Sequence, residues 1–287
     1  MVIVIAYILA SVGLSGLTYY SLGLYADWVW FWVPILLAIA FYLTCNAFQY
    51  GLCIVLGAFY QHSKVEQYEP NRPTMYLMSV TAMMLLPLLR THISRSGFEK
   101  LPSKDTSAMF VSNHLSSFDY ISLLAVMRDR KMVAVSKKEN LKVIAVGGLS
   151  KRAGYLSIDQ HDMASGVKVI EKAAEFLKEN KTNVGICPEG TRNKGYPDPL
   201  LLPFKPGSFE MAKLAECPIV LMAFQNTNCV FKRFPLRMTR IYIDVIRVLE
   251  FSEYKDMSLS ELSSLAHEEI LNRLTEKEPR AYLHHFE

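Results

Sequence analysis

Residues 108–119, Ala108-Met109-Phe110-Val111-Ser112-Asn113-His114-Leu115-Ser116-Ser117-Phe118-Asp119, run a short apolar stretch into an abruptly polar turn. An apolar run bounded by turn-forming residues predicts a strand covered on both faces, here over 108–111, and the apolar residues after Asp119 predict a helix as far as Met127. A strand that feeds a helix through a polar turn is the unit of an α/β domain, and the turn lies at the carboxyl end of the strand, where open sheets gather ligands. His114 and Asp119 both sit in that turn. If it folds Asp119 back on the imidazole, the carboxylate can accept the Nδ1 proton, fix the tautomer and stabilise the imidazolium formed when Nε2 takes a proton. Taken alone, a histidine near a carboxylate is structural in most proteins.

Downstream, further strands are predicted at 132–135, 155–158, 184–187 and 219–223, and 240–249 alternates as a strand wet on one face. Met163, Val167, Ile170, Ala174 and Leu177 recur at spacings of four and three, so 161–180 is an amphipathic helix with that stripe toward the sheet. A helix follows at 208–215, and Ser258 with Glu261 suggests a capping box opening a last helix to about 274. The fold class is therefore α/β, a mixed sheet flanked by helices. The loop after 184–187 reads Cys187-Pro188-Glu189-Gly190-Thr191-Arg192-Asn193. It supplies a fixed turn, an acid, a glycine whose neighbourhood offers backbone N–H groups to an oxyanion, a hydroxyl and a guanidinium. Arg192 suits a phosphate, because its planar fork donates two hydrogen bonds at once. Glu189 suits either a holding role in the loop or contact with a substrate hydroxyl.

Upstream the pattern changes. Of the first sixty residues in this 287-residue chain, only Asp27 is charged, and the overall composition is 51% hydrophobic. The uncharged stretches 1–26 and 28–61 each exceed the roughly 20 residues a helix needs to cross hydrocarbon, so two membrane helices are expected. No basic segment precedes the first, which sets a cleavable signal peptide aside. The short connection around Tyr25 and Asp27 makes 1–62 a helical hairpin anchor, with Trp28, Trp30 and Trp32 as interfacial aromatics. Lys64 and Arg72 follow the second helix, which directs the remaining domain, 63–287, to the cytoplasmic side. Pro34, Asn46 and Gln49 call for a kink or for polar contacts between helices. A third apolar run, 75–89, is too short to span comfortably and reads as an interfacial or buried helix of the second domain.

Five cysteines without a repeated Cys-x-x-Cys spacing suggest neither a disulfide framework nor a zinc site. His161, His284 and His285 form no metal-ligand set. The net charge is +4, with acidic residues mixed among the basic ones throughout, which points away from nucleic acid and toward an anionic lipid or phosphorylated substrate. Cys187 opens a separate route, a thiol nucleophile paired with His114.

The Asn113-His114-x-x-x-x-Asp119 box followed by Pro188-Glu189-Gly190-Thr191-Arg192 resembles the motifs of the 1-acylglycerol-3-phosphate acyltransferase family, the PlsC-like lysophosphatidate acyltransferases, over roughly 92–223. The stretches 154–160 and 217–220 resemble two weaker family blocks. The resemblance implies that His114 and Asp119 form the catalytic dyad and that Glu189, Gly190, Thr191 and Arg192 bind glycerol phosphate. Asn113 and Lys137, at a position where the family commonly has a lysine, join them as substrate-binding residues. It further implies direct transfer of an acyl group from acyl-CoA or acyl carrier protein to a membrane lipid acceptor, with no thioacyl-enzyme, cofactor or metal. Two positions depart from the family: Gln160 stands where an arginine is usual and Ser157 where an aromatic is. A neutral amide lacks the charge-assisted bonds of an arginine, so the head group stays open, with Lys137, Arg152, Lys194 and Lys205 as other cations that could serve it. The rival readings are the same chemistry on another lysolipid and a noncatalytic lipid-binding membrane protein.

Overall fold

The computed structural model describes residues 2–26, 31–63, 65, 68–143, 146–159 and 162–276. Expectations that rest on Asp27, Trp28, Trp30, Lys64, Gln160, His161, His284 and His285 lie outside those residues. In chain order the elements are α1 (Val2–Ser21), α2 (Val33–Gln61), α3 (Arg72–Leu88), β1 (Thr91–Ser96), β2 (Met109–Ser112), α4 (Phe118–Val126) and β3 (Met132–Lys137). Then follow α5 (Val146–Ala153), β4 (Leu156–Ile158), α6 (Met163–Lys178), β5 (Asn183–Ile186), α7 (Glu210–Ala215) and β6 (Ile219–Gln225). The chain continues through α8 (Val230–Arg233), β7 (Thr239–Leu249), α9 (Phe251–Tyr254) and α10 (Leu259–Glu276).

The apolar run that begins at Ala108 becomes β2, at the centre of a seven-stranded sheet of order β1-β7-β6-β2-β5-β3-β4. Strands β6, β2, β5, β3 and β4 are parallel, β7 is antiparallel to β6, and β1 is parallel to β7. Because side chains alternate along a strand, Met109, Val111, Ile219 and Leu221 enter one apolar layer with α6, α7 and α10. Phe110, Val220, Met222 and Phe224 enter the other, against Leu86 of α3 and Phe118 and Leu123 of α4. A sheet covered on both faces needs the continuous apolar strands that the sequence shows. Phe110, Leu221 and Phe224 are fully buried, each a gain of about 1.5–3 kcal/mol over exposure.

Helix α6 buries Ile170, Ala173, Ala174 and Leu177, whereas Val167 of the expected stripe is exposed. The last helix opens with a reciprocal cap: Ser258 N–H donates to the Glu261 carboxylate at 2.7 Å, and Glu261 N–H to Ser258 Oγ at 3.2 Å.

Among the described residues, α2 is the one helix long and apolar enough to cross a bilayer by length and composition, and within α1 the stretch Ile5–Ser21 is a shorter apolar helix. Pro34 opens α2 and introduces no kink. Gln49 is accommodated by polar contacts, accepting from Tyr7 of α1 at 3.2 Å and donating to Thr81 of α3 at 3.1 Å. The far end of α2 is fastened to the domain, since a Cβ on Gly148 of α5 would stand 1.7 Å from the Gly57 carbonyl oxygen. Only glycine permits that approach. The run at 75–89 is a helix with one face, Met75, Val80, Met84 and Leu86, in the core and with Tyr76 and Leu88 exposed.

Candidate active site

Four adjacent parallel strands, β6, β2, β5 and β3, end along one edge of the sheet, and the polar loops leaving them meet there. Asn113 directly follows β2. Its Oδ1 accepts the Phe224 N–H at 2.7 Å and its Nδ2 donates to the Phe224 carbonyl at 3.0 Å, which stitches the exit of β2 to the end of β6. Asn113 is fully buried, and both its amide atoms are taken up by this backbone contact.

The turn then delivers His114 to Asp119. His114 Nδ1 lies 2.7 Å from Asp119 Oδ2. The same oxygen accepts the N–H groups of Leu115 at 2.8 Å and Ser116 at 3.0 Å, and Oδ1 accepts the hydroxyl of Thr227. A carboxylate held by two backbone donors and a hydroxyl makes Nδ1 the donor toward it, leaving Nε2 as the basic nitrogen. Asp119 is buried, while the His114 side chain keeps 26% of its surface exposed. The base is thus reachable and its orienter is not. Thr227 sits on a short turn after β6, opened by Asn226 in the left-handed region (φ 67°), and nothing in the sequence singled it out.

The loop after β5 grips the backbone of the same histidine. Glu189 Oε1 accepts the His114 N–H at 2.6 Å, and the Asn193 N–H donates to the His114 carbonyl at 2.7 Å. Glu189 Oε2 accepts the Leu202 N–H at 3.1 Å. Both Glu189 oxygens are thus bonded to backbone rather than to a cation, the geometry of a holding role. Burial pushes its carboxyl up to about 7, against the lowering effect of those N–H donors. Gly190 has φ 68°, a conformation that favours glycine, and a Cβ there would meet the movable end of the Lys205 side chain, with Nζ at 2.8 Å. Its N–H is bonded to Cys187 O at 3.0 Å and is not an oxyanion donor. Thr191 and Arg192 are exposed at the tip, with the ammonium of Lys205 over the root of the same loop.

Lys137 ends β3, two strands from β2 and so about 10 Å along the edge from His114. Burial and the nearby Asp119 push the Cys187 thiol above its ordinary range, which disfavours the thiolate that a thioacyl-enzyme route would need. Among the described residues no cluster of His, Cys, Asp or Glu is placed to hold a metal ion.

Fold and site together define an α/β protein with a helical hairpin at one side, built around a strand-end histidine that a buried aspartate orients. Residues 92–225 match the family model described as Acyltransferase. The 1-acyl-sn-glycerol-3-phosphate acyltransferase of Salmonella typhimurium is 27% identical over 158 residues, 55% of this chain and 63% of that one. The enzyme of that name called alpha from Mus musculus is 30% identical over 156 residues, 54% of this chain and 53% of its own length. The chloroplastic BAT2 enzyme of Brassica napus is 32% identical over 147 residues, 51% of this chain and 40% of its own. The chain thus spans less than two thirds of the length of these relatives. The crystal structure of the 1-acyl-sn-glycerophosphate acyltransferase PlsC from Thermotoga maritima superposes with a TM-score of 0.61 at 19% identity, covering 86% of this chain and 96% of that one. At that identity the likeness is one of fold.

Proposed function

We propose that the chain transfers a fatty acyl group from an acyl thioester, acyl-CoA or acyl carrier protein, to the free hydroxyl of 1-acylglycerol 3-phosphate, giving phosphatidate. The observation that carries this reading is the His114–Asp119 pair at 2.7 Å with a basic Nε2, held in place by the Glu189 loop that also presents Arg192. In one step within a ternary complex, Nε2 takes the proton of the acceptor hydroxyl as its oxygen attacks the thioester carbonyl. The tetrahedral intermediate collapses with cleavage of the C–S bond, and the imidazolium returns the proton to the departing thiolate. Asp119 stabilises the imidazolium in between. Arg192, Thr191 and Lys137 are the residues proposed to hold the acceptor's phosphate, and no cofactor or metal enters the reaction.

Residues 1–62 would then act as the membrane anchor that delivers a lipid acceptor to the domain at 63–287 on the cytoplasmic face, in keeping with the apolar length of α2. A second acceptor class, another lysophospholipid, is favoured by one observation, Gln160 in place of the arginine usual in such proteins. The test is an acceptor panel with the purified full-length chain, both donors and free-fatty-acid release as a control. Lysophosphatidate should be converted to phosphatidate, and His114→Ala should lose the activity about 10³-fold. Undiminished turnover in His114→Ala would sink the mechanism. A preference for a neutral or zwitterionic head group that Gln160→Arg reverses would transfer the assignment to the second class.

A further inference from the structure

The segment that joins β6 to β7 reads Val230-Phe231-Lys232-Arg233-Phe234-Pro235-Leu236-Arg237-Met238, with Arg240 just beyond. Its large apolar side chains point outward: Phe231 is 71% exposed, Phe234 40%, Leu236 85% and Met238 53%. A contiguous patch of this kind on a domain surface marks a binding face. Lys232, Arg237 and Arg240 are exposed among them, and no acidic residue occurs between Cys217 and Ile243. Bulky apolar tips interleaved with cations match the boundary between anionic head groups and acyl chains.

The place of the segment in the fold supplies a second, independent argument. It is fastened to the end of α3, since Arg90 donates to the Pro235 carbonyl at 2.9 Å and accepts the Thr239 N–H at its own carbonyl at 3.0 Å. Helix α3 begins beside the domain end of α2: Asn71 N–H is bonded to Ala153 of α5, the helix that packs on Gly57. Further on, Thr81 meets Gln49 and Cys53 of α2. The helix is thus directed toward the N-terminal half of α2, and Leu88 lies about 10 Å beyond Thr81. About that far along its N-terminal half, α2 presents Leu43 outward, with Ile39 and Leu36 one and two turns beyond and no charged residue. The patch and the bare apolar flank of the hairpin therefore share one level. The patch also adjoins the site, because the Phe231 ring stands edge-on to Phe118, the neighbour of Asp119, at 5.0 Å between centroids.

We propose that residues 230–240 form a second membrane-docking element, separate from the hairpin, that seats the domain on an anionic phospholipid surface. Phe231, Phe234, Leu236 and Met238 enter the head-group boundary, and Lys232, Arg237 and Arg240 meet lipid phosphates. The docked face then brings the rim of the His114 site to the bilayer. The inference does not depend on the acyl-transfer reading, and its test requires no turnover.

The full-length chain carrying Leu236→Cys, labelled with an environment-sensitive NBD probe, is reconstituted in vesicles of phosphatidylcholine alone or mixed with phosphatidylglycerol. The unmutated chain is labelled in parallel to account for native thiols. A second probe at Lys255→Cys reports the opposite end of β7, about 30 Å away. We expect blue-shifted emission at position 236, quenching by nitroxide-bearing lipid several-fold stronger than at 255, and deeper quenching with phosphatidylglycerol. Lys232→Glu with Arg240→Glu should abolish the phosphatidylglycerol increment. Equal access of aqueous iodide to both positions would overturn the proposal. So would a blue shift at 236 without lipid quenching, which would identify a protein partner instead. Lipid quenching indifferent to phosphatidylglycerol and to charge reversal would overturn the assignment to an anionic surface.

Discussion

Two strand-end loops meet at the candidate site, and they are held in opposite ways. In the loop after β2, every polar group from Asn113 to Asp119 that bears on the base is directed inward, and Asp119 alone accepts four hydrogen bonds, from His114, Leu115, Ser116 and Thr227. In the loop after β5 only the root is buried: Glu189 and Asn193 clamp the backbone of His114 while Thr191 and Arg192 between them face solvent. The difference separates two tasks. A base is useful when its tautomer and direction are fixed before substrate arrives, which favours burial and redundant bonds. Groups that recognise a head group have to reach water first, and they gain their bonds only on binding.

The comparison breaks most sharply at Asp119. Asp119→Asn keeps the size but replaces an acceptor that serves four donors with one oxygen and an NH₂ group facing backbone N–H. Turnover should fall about 10³-fold, and because buried donors lose a charged partner the melting temperature should fall too, by an amount equivalent to about 1.5–3 kcal/mol. Thermal melts beside initial rates check both. A variant that loses activity without any loss of stability would mean that the turn is not held by this carboxylate.

Glu189 tests the buried root of the other loop. A carboxyl whose folded value is raised to about 7 binds its proton more tightly in the folded chain than in the unfolded one. The fold is accordingly most stable, as far as this group is concerned, below about 4.5 and loses that contribution as pH rises to 7, with little further change above. The contribution is on the order of 3 kcal/mol. Glu189→Gln should flatten the stability profile between about pH 4.5 and 7, and should lower turnover about 10²-fold because one amide oxygen cannot accept both the His114 and the Leu202 N–H. Denaturant titrations across that pH range, variant against parent, decide it; parallel profiles would place the titration elsewhere.

How much of this was legible in the sequence depended on where each partner lies. The strands β2, β5 and β6 announce themselves because burial on both faces demands unbroken apolar runs. Strand β1 does not: Thr91-His92-Ile93-Ser94-Arg95-Ser96 is an edge strand, half exposed and paired only with β7, so it carries no apolar signature. Helix α5 was missed for a related reason, since Gly147 and Gly148 weaken helix propensity while Gly148 admits the backbone of α2. At the site, the short-range pairing of His114 with Asp119 is written in local spacing. The partners of Asn113 and Asp119, Phe224 and Thr227, lie 111 and 108 residues away and are set by the parallel register of β2 on β6. The basic and aromatic composition of 231–237 is visible in the chain, but its exposure and its level relative to α2 follow only from the fold.

Arg192 sharpens the comparison from the exposed side. Arg192→Ala should leave the melting temperature within about a degree of the parent, because the guanidinium is at the surface and surface changes rarely exceed ±0.5 kcal/mol. It should raise the KM for a phosphorylated acceptor about 30-fold with little effect on kcat, and the loss should shrink for an acceptor without a phosphomonoester. A fall in kcat alone would move Arg192 from recognition to the reacting atoms.

The smallest effect is expected at Thr227, and it is the one that distinguishes a positioning group from packing. Thr227→Val preserves shape and removes only the hydroxyl that Asp119 Oδ1 accepts, while the three donors to Oδ2 remain. The carboxylate keeps its seat but loses one of its restraints, so the imidazole gains freedom about the Nδ1 bond. Turnover should fall about 5-fold with KM unchanged, and Thr227→Ser, which restores the hydroxyl without the methyl, should recover most of it. Were Thr227 mere filling, the order would reverse, since valine fills the space and serine does not. The pair of variants therefore reads the hydrogen bond directly, and an active valine beside a crippled serine would remove Thr227 from the site.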